Sequence, residues 1–97
     1  MARYSFTKTN VDRSPAKPGV YMLYSGETLI YVGSSEASIR SRLQRHRSGE
    51  EGRGTAGATH YDRLTCSDPL EMEASLLRAH KRQYGKLPRC NEVMPNP

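Results

Sequence analysis

Two apolar tripeptides, Gly19-Val20-Tyr21 and Tyr31-Val32-Gly33, stand on either side of a turn signal and constrain this chain more than any other feature. Both lie in runs of the β-branched and aromatic residues that suit a pleated, half-buried surface. Between them Ser25-Gly26-Glu27 is a polar, Gly-containing connection of a length that joins antiparallel strands. The segment predicts a β-hairpin with arms over about 19–24 and 29–33. A three-residue loop sets Tyr24 opposite Thr28, and counting back sets Tyr21 opposite Tyr31, Met22 opposite Ile30 and Val20 opposite Val32. Because side chains alternate between faces, this register lays two phenols side by side on one face, with Cβ atoms ~4.5–5.5 Å apart. The other face is wholly apolar. Cross-strand aromatic pairs also occur for packing alone, so the hairpin by itself specifies a sheet and not a chemistry.

The rest of the chain reads as α/β, with a small mixed, mainly antiparallel three-stranded sheet flanked by helices. Residues up to about 17 are polar and weakly patterned, with one short strand near Tyr4–Phe6. Ser34 to Ser38 offers several N-caps for a helix running to about Ser48, where Gly49 supplies a stop. Residues 49–58, with four glycines, read as a mobile loop, and His60–Cys66 as a third strand. Asp68 as N-cap, Pro69 in the first turn and Glu71 in a capping-box position start a second helix that ends near Tyr84, before Gly85. The tail from Leu87 is Pro-rich and reads as irregular.

At 97 residues a single domain over 1–97 is expected, with its core about 18–91, and 35% hydrophobic residues imply a small core. The formal net charge of +5 favours polyanions through counterion release. The cations cluster: Arg40, Arg42, Arg45 and Arg47 crowd one segment, and Arg78, Lys81, Arg82, Lys86 and Arg89 another. No apolar run is long enough to span a membrane, and the N-terminus lacks the apolar stretch of a signal peptide. With Cys66 and Cys90 as the only cysteines, reduced thiols and a cytoplasmic location are expected. The His and Cys spacings match no zinc pattern, and neither a Walker phosphate loop nor a G-x-S-x-G elbow is present.

Helical spacing sorts the charged residues. Ile39 and Leu43 lie one turn apart and face the sheet, while Arg42 and His46 share the adjacent ridge, beside the buried stripe. Arg40, Arg45 and Arg47 point more outward, towards solvent or phosphates. On the second helix Glu73 has Leu70 three residues before it and Leu76 and Leu77 after it, so its carboxylate sits at or near an apolar face. A carboxylate there needs a metal, an arginine or a strong hydrogen-bond partner. A single carboxylate with room for waters suits Mg²⁺ or Mn²⁺.

A Gly-Val-Tyr strand followed by Tyr-Val-Gly, then Arg42 and His46, Glu73, and Asn91 in Pro88-Arg89-Cys90-Asn91, resembles the GIY-YIG nuclease superfamily in order and span. The resemblance implies a metal-dependent endonuclease acting on nucleic acid, with DNA as substrate, through one Mg²⁺ or Mn²⁺ ion. It implies Tyr21 as general base with Tyr31 in support, Arg42 on the phosphate and Glu73 as metal ligand. His46 would tune the tyrosine or relay its proton, and Gly33 and Asn91 would support the site. Arg40, Arg45 and Arg47 would contact neighbouring phosphates. Since an ordinary tyrosine pKa is ~10, Tyr21 needs to be lowered by the cation and Arg42, or else activity rises with pH. The chain is read as a free-standing minimal nuclease or an excised domain, taking specificity from a partner protein or a dimer. The alternative is a non-catalytic nucleic-acid-binding module that keeps the fold.

Overall fold

The computed structural model describes residues 3–93, which run β1 (Tyr4–Ser5), α1 (Lys8–Asp12), β2 (Gly19–Ser25), β3 (Thr28–Ser35), α2 (Ile39–Arg47), α3 (Arg53–Ala56), β4 (His60–Thr65), α4 (Pro69–Tyr84) and α5 (Arg89–Val93). The sheet has four strands in the order β1-β4-β2-β3 rather than the three expected, because β1 joins the outer side of β4 through Tyr4–Tyr61 and Ser5–His60. All three strand pairings are antiparallel. Among the described residues no helix is long and apolar enough to cross a membrane.

The hairpin register differs from the one read in the sequence. Ser25 pairs with Thr28, so the turn is the two residues Gly26-Glu27, with Gly26 at φ +63°. Such a turn matches the twist of the strands, and Gly reaches positive φ without strain. The pairing then slips between Leu23–Tyr31 and Tyr24–Leu29, so that Ile30 is an extra residue on β3 in a β-bulge. Ile30 is fully buried, and its burial gives the bulge its anchor. As a result Tyr21 faces Gly33, Met22 faces Val32 and Leu23 faces Tyr31. Tyr21 and Tyr31 are diagonal neighbours rather than an opposed pair. They still share a face, since the displacement is an even number of residues, and their rings lie 6.1 Å apart.

Each face of the sheet is covered by a different helix. On one, Tyr21, Leu23, Ile30 and Tyr31 pack with Ile39 and Leu43 of α2 and Val11 of α1. The buried Tyr61 hydroxyl donates to the Asn10 carbonyl at 2.8 Å, tying α1 to β4. On the other face Met22, Tyr24 and Val32 meet Leu76 and Leu77 of α4. Leu70, read as part of that apolar face, is 59% exposed; it lies in the first turn of α4, ahead of the stretch that meets the sheet. Ser38 caps α2 and Asp68 caps α4, while Gly85 closes α4 in the left-handed region. The capping box is one-sided: the Glu71 amide donates to Asp68, but the Glu71 carboxylate pairs with Arg78 at 3.3 Å.

Two segments read as irregular contain short helices. Residues 49–58 hold α3, and the tail holds α5. In α5, Asn91 meets the free edge of β3: the Val32 amide donates to Asn91 Oδ1 at 2.9 Å, and Asn91 Nδ2 donates to the Val32 carbonyl at 3.0 Å. One side chain thereby satisfies two backbone groups that an edge strand would otherwise leave open.

The close approach of Tyr21 to Gly33 yields a stability prediction. A Cβ on Gly33 would fall within the Tyr21 phenol and 2.7 Å from Tyr31 Cε2. Gly33→Ala should lower unfolding free energy by about 1–3 kcal/mol, the usual cost of overpacking. Gly57→Ala, whose Cβ would meet nothing nearer than 3.9 Å, should stay within about 0.5 kcal/mol of wild type. Urea unfolding of the two variants checks the difference.

Candidate active site

Tyr21 projects from the centre of β2 towards α2, where its hydroxyl lies 2.8 Å from His46 Nε2. His46 stands one turn beyond Leu43 and is fully buried, more deeply than its place beside the apolar stripe implied. Its second nitrogen, Nδ1, is 2.8 Å from Thr55 Oγ1 of α3. Thr55 is buried as well, and its hydroxyl can donate to the Gly52 carbonyl at 3.5 Å. One proton arrangement satisfies every member: Tyr21 donates to Nε2, Nδ1–H donates to Thr55, and Thr55 donates to Gly52. Tyr31 closes the cluster with its ring 5.0 Å from that of His46.

The protonation states follow from burial. Burial, then the neighbouring Tyr31, pushes the Tyr21 phenol well above the ordinary tyrosine range, and Arg42 pulls it down by less. The expected lowering by Arg42 thus has the right direction, but desolvation outweighs it. Tyr31 is raised by burial and next by Glu73. Burial, reinforced by the Arg42 and Arg45 charges, lowers His46 from 6.5 to about 4.

Arg42 is half-buried on the next ridge of α2. Its Nη2 lies 3.7 Å from Glu51 Oε1, and Arg45 Nη2 lies 2.9 Å from Glu51 Oε2. Arg42 Nε is buried with no hydrogen-bond partner among the described residues. Arg45 is thus drawn into the Glu51 pair rather than facing only outward. Arg40 turns the other way, with Nε donating to the Ser14 carbonyl at 2.8 Å, and Arg47 is exposed.

Glu73 reaches the same region from the opposite side of the sheet. It is half-buried on α4, and Ser34 of β3 donates to its Oε1 at 2.7 Å. The alternative partner for Glu73, an arginine, is not what the structure provides. The two faces meet here because β3 is an edge strand: Tyr31 and Gly33 look to α2, while Val32 and Ser34 look to α4. Among the described residues no group of three or more His, Cys, Asp or Glu forms a metal cluster. The donor set at this edge is therefore one carboxylate beside a hydroxyl. That set fits a hard cation which keeps several waters, as Mg²⁺ does, and does not fit zinc.

Tyr21, Tyr31 and His46 are in mutual contact, Arg42 and Glu73 are near enough to act on the Tyr31 phenol electrostatically, Gly33 lies beneath the Tyr21 phenol and Asn91 on the free edge of β3. Thr55, Glu51 and Ser34 join them without having been read from the sequence. Thr55 was hidden in a Gly-rich stretch with no periodicity. Glu51 had a usable signal, since it is an acidic residue beside four clustered arginines. Ser34 follows from side-chain alternation once the register is known.

The neutral, buried His46 produces a pH dependence of stability. Below its ordinary value the unfolded chain binds a proton that the folded chain refuses. Stability is thus full above about pH 7 and falls as pH drops towards about 4, by up to about 3 kcal/mol. His46→Gln should flatten that part of the profile. Urea unfolding of both proteins between about pH 7.5 and about pH 4.5 measures the difference in slope, and parallel profiles would contradict a neutral buried ring.

The model of the GIY-YIG catalytic domain matches residues 17–85. UvrABC system protein C of Thermus thermophilus is 34% identical over 86 residues, covering 84% of this chain, and that of Deinococcus radiodurans is 31% identical over 78 residues, covering 75%. The chain spans only 14% and 12% of those two proteins. In three dimensions it is similar to the GIY-YIG N-terminal endonuclease domain of UvrC from Thermotoga maritima, crystallised with its catalytic divalent cation, magnesium. The TM-score is 0.66 at 19% identity, covering 76% of this chain and 89% of that one. The matched residues include the β2–β3 hairpin, α2 and α4, and the chain belongs to the GIY-YIG family.

Proposed function

We propose that this chain is a divalent-cation-dependent endonuclease that hydrolyses phosphodiester bonds of DNA at the β3 edge. The observation that carries the reading is the convergence there of a phenol bonded to an imidazole, a guanidinium with an unused buried N–H, and a half-buried carboxylate. Glu73 would hold Mg²⁺ or Mn²⁺, with waters completing its coordination. When bound, the cation supplies neutralisation of the charge that develops on the leaving 3′-oxygen.

The remaining work falls to the chain's own residues. Arg42 donates to non-bridging phosphate oxygens through the exposed part of its guanidinium, its side chain being 31% exposed. Tyr21 is neutral, so it acts as a base only by giving up its own proton. Its hydroxyl already points at His46 Nε2, 2.8 Å away. As Tyr21 Oη accepts the proton of the attacking water, the phenolic proton passes to His46 Nε2, and Thr55 holds the ring through Nδ1. Arg42 and Arg45 oppose the resulting imidazolium in the free protein. A phosphate bound to those guanidiniums offsets their charge and eases the transfer. Tyr31 packs against both rings and fixes their orientation.

The decisive experiment is cleavage of labelled DNA with Mg²⁺ or Mn²⁺ and with chelator. Cleavage should require the metal, and Glu73→Gln should abolish it while leaving the melting transition and DNA affinity close to wild type. Undiminished turnover in that variant would remove Glu73 from the site.

The two faces of β2 provide an internal control. Tyr21→Phe should lose roughly 10²–10⁴-fold in single-turnover rate, the usual worth of general-base assistance. Tyr24→Phe, on the α4 face, should stay near wild type. Arg42→Ala should collapse the rate at saturating protein with a modest loss of affinity, whereas Arg47→Ala should weaken binding and its salt dependence alone. A normal saturated rate in Arg42→Ala would favour a binding module over an enzyme.

A further inference from the structure

A second feature lies beyond the candidate site, in a groove of about 720 Å³ between the hairpin and the C-terminal end of α4. Arg3, Lys86 and Arg89 line it with positive charge, and among the described residues Glu27 is the one acidic residue in its lining. Its aromatic residues are held in place. The Arg3 guanidinium sits 3.9 Å over the Tyr24 ring. The His80 and Tyr84 rings are 4.6 Å apart, and His80 Nδ1–H donates to the Lys86 carbonyl at 2.8 Å across the Gly85 turn. Tyr84 is nevertheless 61% exposed, so much of its ring surface is open. None of the residues proposed for catalysis lines this groove.

One ridge of α4 runs from the candidate site towards the groove. Glu73, His80 and Tyr84 are spaced seven and eleven residues apart and so share one stripe of α4. At ~1.5 Å per residue, His80 lies about 10 Å and Tyr84 about 16 Å beyond Glu73 along the axis. β3 runs beside that path, with Thr28 and Leu29 in the groove lining and Ser34 at Glu73. Positive charge combined with exposed aromatic rings is the chemistry that binds an unpaired strand, because each phosphate finds a cation and an unstacked base finds a ring. A duplex keeps its bases stacked and offers nothing to Tyr84.

We propose that this groove binds a single-stranded arm of the nucleic acid, a few nucleotides from the phosphate being cleaved, with a base stacked on Tyr84 and the backbone tracked by Arg3, Lys86 and Arg89. The proposal rests on the nuclease reading for its relation to the scissile phosphate, but binding is measured without catalysis. The preferred substrate then carries an unpaired segment beside the cleavage position.

The test uses the full chain in chelator, with fluorescein-labelled oligothymidylate of about 12 nucleotides, within the ~4–16 nucleotide range of such grooves, and a blunt duplex of similar length. Tyr84→Ala should weaken single-strand binding roughly 5- to 150-fold, the worth of one stacked base, and Tyr84→Phe should restore it. Duplex affinity should change by no more than about twofold in either variant, as expected where no base is unstacked. Lys86→Ala should reduce the salt slope for the single strand by about 0.7. Unchanged single-strand affinity in Tyr84→Ala and an unchanged slope in Lys86→Ala would overturn the proposal and leave the groove to a protein segment. A chain that binds as stated yet never cleaves with metal would overturn the nuclease reading alone.

Discussion

The hydrogen bond from Tyr21 to His46 is the contact on which the site depends, because it joins the central strand to α2 inside the core. Both groups are fully buried, so neither can fall back on water if the other moves. His46 passes the constraint on to Thr55, which fixes α3 and the α2–α3 loop. Gly33 makes the arrangement sterically possible, since the Tyr21 ring fills the space that any other residue there would occupy. Sheet, helix and loop are thus locked through polar atoms in addition to apolar packing.

That locking explains which parts were legible in sequence. Helix ends were, because Ser38, Asp68 and Gly85 act through local backbone chemistry. The shared face of Tyr21 and Tyr31 was, because alternation depends only on parity. The register itself was not: a two-residue turn and a three-residue loop are both compatible with Ser25-Gly26-Glu27, and the bulge is decided by the burial of Ile30. Glu73 stood out because a carboxylate among leucines needs a reason, although Leu70 proved to be exposed. Thr55 and Glu51 belong to a segment whose conformation is set by what it touches, so its own residues gave no pattern to read.

The edge position of β3 accounts for the site's composition. β2, paired on both sides, has no open edge, whereas β3 is paired on one side alone. On the edge, alternating residues deliver Tyr31 and Gly33 to one side and Ser34 to the other. Asn91 closes the exposed backbone at Val32 through both of its amide atoms. A tail side chain thus replaces a fifth strand without covering the chemistry.

Burial first, and charge after it, sets the resting state of the site. Glu51 and Glu73 disfavour an ionised phenol, and Arg42 and Arg45 disfavour an ionised imidazole. Burial, the larger cause, raises the phenol and lowers the imidazole, disfavouring the charged form of each. The free protein therefore holds neutral Tyr21 beside neutral His46, with the shared proton on the oxygen and no charge within the pair. On the mechanism proposed above, separating charge across that 2.8 Å hydrogen bond would wait for an anion at the guanidiniums and a cation at Glu73. On the proposed mechanism the electrostatics that keep the free pair neutral would oppose its proton transfer until phosphate and cation were both bound.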